Sequence, residues 1–354
     1  MIINFISDTH ADHLLMSGTS PANRLELRRL RHWATIECLK NASPDSVKIH
    51  AGDLFHGKNP KDSEGLGFAL QQASACDWVL AGNHDVTNTH REDSAFEVMK
   101  QVKELAPKLI TTRYGDTEHI EIPGLGLVCL PHVADQALFE TKIKELCIEY
   151  AGKDKTLLLH CNIRMAEHME DETSLNLTEE LMKCVSDTFK VTFVGHNHQH
   201  RTFNGGKIVS IGTPFPLSFS DVGGAKGFGY VSYDTDTGEV THVPMLKKEQ
   251  CFMEVDIADF ANEASFVMMT NALPQLVRIA GERQTGADLV KIAKTCYGKG
   301  ALAISWKLES DLMLTPHADR KEVREEDSFD VVERVKTHLS EAHNETLGRY
   351  LDRG

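Results

Sequence analysis

The chain has 354 residues, 41% hydrophobic and 25% charged, which excludes a disordered, collagen-like or rod-forming protein. Its 52 acids against 38 bases leave a net charge of −14, which argues against a surface coated in phosphate-binding Lys and Arg. A local basic groove is still allowed, and bound cations reverse the field of an acidic site.

At roughly 150 residues per domain the length predicts about two domains. No apolar run approaches the roughly 20 residues that span a bilayer. The opening MIINFISDTH has no basic segment followed by an apolar stretch, so neither a secretory signal nor a membrane anchor is expected. Eight cysteines are scattered with no CxxC pair, which fits buried thiols in a reducing, cytoplasmic compartment.

Aliphatic and β-branched runs followed by Gly or polar residues predict strands, and the stretches between them predict helices. Ile2–Ile6 is the first strand, and Asp8-Thr9-His10 follows it. Ser20-Pro21 is an N-cap and first-turn pair for a helix reaching Leu39. Its Arg24, Arg28, Arg29 and Arg31 read as a solvated face or as an edge that meets phosphate or another subunit. Strand Val47–His50 leads into Gly52-Asp53, and helix Ser63–Ala75 follows. Strand Trp78–Leu80 leads into Gly82-Asn83-His84-Asp85, and a helix is expected over Asp93–Leu105. Strand Leu127–Leu130, helix Gln136–Tyr150 and strand Thr156–Leu159 bring the chain to His160. Helix Leu177–Ser186 precedes strand Val191–Val194, which runs into Gly195-His196-Asn197-His198. Strands Ile208–Ile211 and Phe228–Tyr233 complete an α/β core with a largely buried sheet.

A Pro-containing, Lys-bearing stretch at Val240–Lys248 separates this core from a smaller α/β unit. There the pattern gives strand Phe252–Asp256, helix Glu263–Leu273, strand Leu276–Ala280, helix Gly286–Cys296 and strand Ala301–Trp306. Glu309–Asp327 reads as a polar linker, and Ser328–Leu351 as a closing helix whose apolar residues at helical spacing either pack on the small unit or bind a partner.

The chemistry lies at the strand ends. In an open α/β sheet those ends share a crevice in which ligands bind. Taken singly, Asp8-x-His10 is compatible with a capped turn, Gly52-Asp53 with an ordinary turn, and His160 with a satisfied core histidine. Taken together they place imidazole, carboxylate and amide oxygen, without thiolate, in one crevice. That donor set suits manganese, iron or zinc rather than a structural Cys-type zinc site. The donors exceed the needs of one ion, and a carboxylate such as Asp53 could bridge two ions about 3.5–4 Å apart.

Asp8-x-His10, Gly52-Asp53, Gly82-Asn83-His84-Asp85, His160 and Gly195-His196-x-His198 together resemble the signature of the calcineurin-like metallophosphoesterases. GDLFHGKNP at 52–60 and IGTPFPLSFSDVGGAKGFGYVSYD at 211–234 narrow the resemblance to SbcD-type nucleases, including compact phage versions. The resemblance covers residues 1–245. It implies a four-layer α/β/β/α sandwich, a small α/β DNA-capping domain over 246–308, a linker over 309–327 and a C-terminal helix over 328–354.

It also implies roles. Asp8, His10 and His198 would hold one metal; Asn83, His160 and His196 would hold the other; Asp53 would bridge both. His84 would stabilise or protonate the leaving oxygen, Asp85 would orient His84, and His56 matches a histidine tied to exonuclease activity. The ions would be manganese, with magnesium as the alternative. Ala11-Asp12-His13 departs from the family's usual Leu-Gly after the first motif, and His13 reads as a surface loop residue or an extra contact to substrate.

The expected activity is a 3'-5' double-strand exonuclease and single-strand endonuclease of recombination and repair. The expected partners are DNA, an SbcC-type ABC ATPase bound by the C-terminal helix, and a second copy of the chain. Lys58, Lys61, Lys207, Lys226, Lys247 and Lys248 are candidates for a DNA path. The alternatives are a phosphoesterase of small phosphodiesters or phosphoprotein, and a scaffold for the ATPase.

Overall fold

The computed structural model describes residues 1–14, 19–57, 62–86, 94–111, 118–133, 135–163, 174–223, 225, 227–261, 275–282 and 286–308. The alternating pattern resolves into two six-stranded sheets. The first, in spatial order, is Val240–Lys247, Gly227–Asp234, Ile2–Ile6, Val47–His50, Trp78–Leu80 and Leu109–Ile110. The second is Arg201–Phe203, Ile208–Ser210, Thr192–Gly195, Thr156–His160, Leu127–Leu130 and Ile120–Ile122. The central pairings are parallel: Ile6 lies opposite His50, and Gly195 opposite His160.

Alternation along the strands sets the layers. Leu158, Phe193 and Cys129 point to one side of the second sheet and meet Ile3, Phe5, Ile49 and Leu80 of the first. Phe5 and Phe193 stack across this interface with ring centroids 4.2 Å apart. Leu157 and Leu159 point the other way, onto Phe139 and Ile143 of helix Gln136–Glu149 and Leu181 of helix Glu179–Thr188. Ile6 and Val79 meet Cys38 and Leu39 of helix Pro21–Asn41 and Ala69 of helix Ser63–Ala75. The result is helix, sheet, sheet, helix, as the family resemblance implies. A strand covered on both faces explains why Leu157-Leu158-Leu159 is apolar without a break. Each of these helices opens on a side chain that accepts from its first turn: Ser20, Asp62, Asp135 and Thr178.

Some elements depart from the sequence pattern. The helix expected over Asp93–Leu105 is helical only at Ala95–Met99; turns follow, and Pro107 sits in a short 3₁₀ segment, Ala106–Lys108. Val240–Lys247 is an eight-residue strand rather than a connection. Pro244 is tolerated because this strand is a sheet edge, and the register slips between Phe228 and Gly229 opposite it. The first compact unit runs to Phe252 and the second begins at Met253.

The second unit contains the sheet Phe252–Asp256, Leu276–Gly281, Ala303–Leu308. Its last two strands are parallel and flank helix Gly286–Gly298, a βαβ crossover closed over Val255, Val277, Ile279 and Cys296. The expected helix 263–273, the linker 309–327 and the helix 328–354 lie outside the described residues. All eight cysteines are free, and burial pushes the Cys38 and Cys76 thiols up to about 12, so they pack as small apolar groups. Among the described residues no helix is long and apolar enough to cross a membrane.

Candidate metal centre

The motifs converge because neighbouring parallel strands end on the same side. Asp8 and His10 follow strand Ile2–Ile6, Asp53 follows Val47–His50, and Asn83 and His84 follow Trp78–Leu80, all in the first sheet. His160 ends strand Thr156–His160, and His196 and His198 follow Thr192–Gly195, both in the second. The backbone turns sharply there: φ is 54° at Asp8, 42° at His10, 55° at Asp53 and 92° at His196, a region that side chains other than Gly seldom adopt. The glycines allow close approach. A Cβ on Gly52 would overlap the His160 ring, and one on Gly82 would overlap Asp53.

Among the described residues two carboxylate-containing ligand groups form: Asp8, His10 and His198 present donor atoms within 4.8 Å of one another, and so do Asp53, His160 and His196; a third group, His10, His56 and His84, is all imidazole. The Asn83 Oδ1 lies 3.1 Å from both His160 Nε2 and His196 Nδ1, which adds it to the second group. Asp53 stands between them, its Oδ2 3.3 Å from His160 Nε2 and 3.7 Å from His10 Nε2. Each carboxylate-containing group draws residues from both sheets.

The donors fit divalent cations. His10 Nε2 is buried without a hydrogen-bond partner, an unmet need that a coordinated cation would satisfy. His160 Nδ1 donates to the Ala51 carbonyl at 2.8 Å, which leaves Nε2 to face Asp53. Burial works against charge on both of these groups, yet their mutual attraction outweighs it. Asp53 is held well below the usual carboxylate range by His160, His10 and His84, and Asp53 in turn lifts His160 to about 9. Burial, followed by the charge of Asp53, pushes the Asp85 carboxyl up to about 7. A cation bound by Nε2 takes the place of the proton on His160.

His84 and His56 flank this centre. His84 Nδ1 donates to the His56 carbonyl at 2.6 Å, and its Nε2 lies 4.0 Å from Asp53 Oδ2. The resemblance has Asp85 orienting His84, but the His84 imidazole is held by the His56 carbonyl. Asp85 instead accepts from the backbone N–H groups of Gly82, Leu54 and Phe55, pinning the turn that carries His84 to the turn after Asp53. His56 Nδ1 faces His10 Nδ1 at 3.4 Å. His13 is not a surface loop residue: it is half-buried, with its ring centroid 3.9 Å from that of His56, and burial beside Arg31 lowers it to about 2.

The helix arginines also divide. Arg28 is buried and paired with Asp62 and Glu64, while Arg31 is buried and donates to the His13 carbonyl at 2.8 Å. Neither belongs to a solvated face. Lys58, Lys61 and Lys226 lie outside the described residues.

The structure adds Asp221. His198 Nδ1 donates to Asp221 Oδ1 at 3.0 Å, which turns Nε2 toward Asp8 Oδ1, 4.0 Å away. Asp221 Oδ2 is fixed by the N–H groups of Leu217 and Ser218, both at 2.8 Å. Burial opposes the charge of this pair, and the ion pairing outweighs it: Asp221 is lowered and His198 raised. In sequence Asp221 sits in a Gly-rich stretch that reads as a turn.

A model of the calcineurin-like phosphoesterase family matches residues 1–200, more than half of the 354-residue chain. Among solved structures, a Staphylococcus aureus protein assigned as a 5'-nucleotidase, in complex with alpha-ketoglutarate, is 14% identical with a TM-score of 0.40. That match covers 70% of this chain and 54% of the other, so the chain spans about half of that relative. The calcineurin-like phosphoesterase YfkN from Bacillus subtilis is 12% identical with a TM-score of 0.32, over 69% of this chain and 88% of its own. With a family model spanning the motif-bearing strands and metal-type donors gathered at their ends, the chain belongs to the calcineurin-like phosphoesterases.

Proposed function

We propose that this phosphoesterase is a DNA nuclease of the SbcD type, hydrolysing phosphodiesters with a pair of divalent cations, manganese first among them. The observation that carries the reading is Asp53, placed between two ligand groups in a chain whose 52–60 and 211–234 segments resemble those nucleases. When bound, such a cation pair supplies a nucleophile at neutral pH and neutralises charge on the phosphate oxygens. Asp8, His10 and His198 would hold one cation, Asn83, His160 and His196 the other, with Asp53 placed between the two groups. His84 offers the proton on Nε2 to the leaving oxygen while its Nδ1 stays on the His56 carbonyl. His56 sits over His10 and carries the exonuclease role that its family counterpart has. The chain needs no covalent intermediate; its work is positioning.

In this reading the enzyme degrades duplex ends 3'-5' and nicks single strands. It does so in the cytoplasm as a homodimer, with an SbcC-type ABC ATPase docked on residues 328–354 and the unit over 246–308 touching the duplex. The test is incubation with manganese and linear duplex DNA, single-stranded circles or bis(p-nitrophenyl) phosphate. Shortened duplex and linearised circles are expected. Hydrolysis of the small ester alone would leave a phosphoesterase of small substrates, and no hydrolysis with or without the ATPase would leave a scaffold.

A further inference from the structure

Next to the metal centre lies a cavity of about 240 Å³ that the chemistry above does not use. His196 and His198 line it, so whatever fills it lies beside the candidate metal ligands. Its outer side is the edge strand Arg201–Phe203. Alternate residues of a strand project to the same face, and Arg201 and Phe203 both line the cavity, with Ile163 as a further apolar wall. The guanidinium is positioned: Arg201 Nη2 donates to Gln199 Oε1 at 2.6 Å. The Gln199 Nε2 donates in turn to the Asp221 carbonyl at 3.0 Å. The loop that aims His198 therefore also anchors Arg201.

An aromatic ring, an aliphatic side chain and a fixed cation around one recess match a nucleoside followed by a phosphate. A base presents a π-face to stack on Phe203, and Arg binds phosphate oxygens through paired N–H groups. At about 240 Å³ the recess lies just below the ~300 Å³ at which cavities for drug-sized ligands begin, the scale of a single nucleoside. We propose that the recess is a subsite for the single nucleoside that flanks the scissile phosphate, with Phe203 and Arg201 deciding what it accepts. The assignment rests on the phosphodiesterase reading above. It deepens that reading by requiring the nucleotide beside the cut to leave the base stack.

The test compares two chromogenic diesters with manganese and the full chain: the p-nitrophenyl ester of thymidine 5'-monophosphate, and methyl p-nitrophenyl phosphate. The ratio of their kcat/KM values is the readout, because general damage to the centre lowers both together. Wild type prefers the nucleoside ester. In Arg201→Ala and Phe203→Leu that preference falls about tenfold, equivalent to ~1.4 kcal/mol. Phe203→Leu keeps an apolar side chain against the core that Phe203 touches. Calorimetric titration with thymidine 5'-monophosphate gives the same comparison without turnover, a tenfold weaker Kd being expected. Unchanged ratios and unchanged Kd in both variants overturn the subsite, even if DNA is cut. A loss of preference in an enzyme that leaves DNA intact upholds the subsite and removes the nuclease reading instead.

Discussion

Asp221→Asn isolates the part of the centre that the motifs do not contain. Asp221 makes two kinds of contact. Oδ2 is fixed by two backbone N–H groups at 2.8 Å, and Oδ1 accepts from His198 Nδ1 at 3.0 Å. In the Asn variant the single oxygen is claimed by the backbone, so the amide nitrogen faces His198. An N–H facing an N–H is repulsive, which drives the imidazole to carry its proton on Nε2, the nitrogen that must bind the cation. Such outer contacts cost about 10–100-fold in metal affinity when removed, or about 1.4–2.7 kcal/mol. Manganese titration by calorimetry should show one of two sites weakened by that factor, with the melting temperature of the metal-free protein changed by only a few degrees. An Asp221→Asn protein whose two manganese affinities both lie within twofold of wild type would refute the claim that Asp221 sets the His198 tautomer.

Other outcomes follow from the same geometry. His84→Ser should retain two bound manganese ions by elemental analysis yet lose about 10²–10⁴-fold in turnover, the usual contribution of a general acid; loss of an ion would instead make His84 a ligand. Manganese affinity should rise with pH up to about 9, because the proton that Asp53 holds on His160 must leave before the cation binds; calorimetry in buffers of differing ionisation enthalpy reads that release. The sign reverses for the metal-free protein. A raised His160 stabilises the fold fully below the unfolded histidine value of ~6.5, and that stabilisation is lost as pH rises toward about 9, visible as a falling melting temperature. Phe193→Ala removes a fully buried ring stacked on Phe5 and should cost about 3–5 kcal/mol in denaturant unfolding, a value under 1 kcal/mol arguing against a tight inter-sheet core.

Sequence alone carried the strands that bear the motifs, because each is an unbroken apolar run closed by Gly or a polar turn. It also carried which imidazoles and carboxylates gather, since the ends of parallel strands share one side. What stayed hidden depends on partners distant in the chain. Asp221 meets His198 across 23 residues, and Arg28 meets Asp62 across 34. A turn-forming Asp and a helix arginine look the same in sequence whether solvated or paired. The part given to Asp85 was legible only in type: a carboxylate that orders the His84 turn can be read beside it, but its burial and its reach to the N–H groups of Leu54 and Phe55 needed the fold. Pro244 hid a strand because the slip opposite Gly229 that accommodates it leaves no mark in the linear pattern.

The sharing of each ligand group between the two sheets gives the inter-sheet core a second task. Asp8, His10, Asp53 and Asn83 ride on one sheet and His160, His196 and His198 on the other, like the two jaws of a vice. The thickness of the filling, set at its middle by Phe5, Leu158 and Phe193, fixes the gap between the jaws. Substitutions that thin or thicken that layer therefore change how the two ligand groups are spaced as well as how firmly the protein folds, even though no atom they alter belongs to either group.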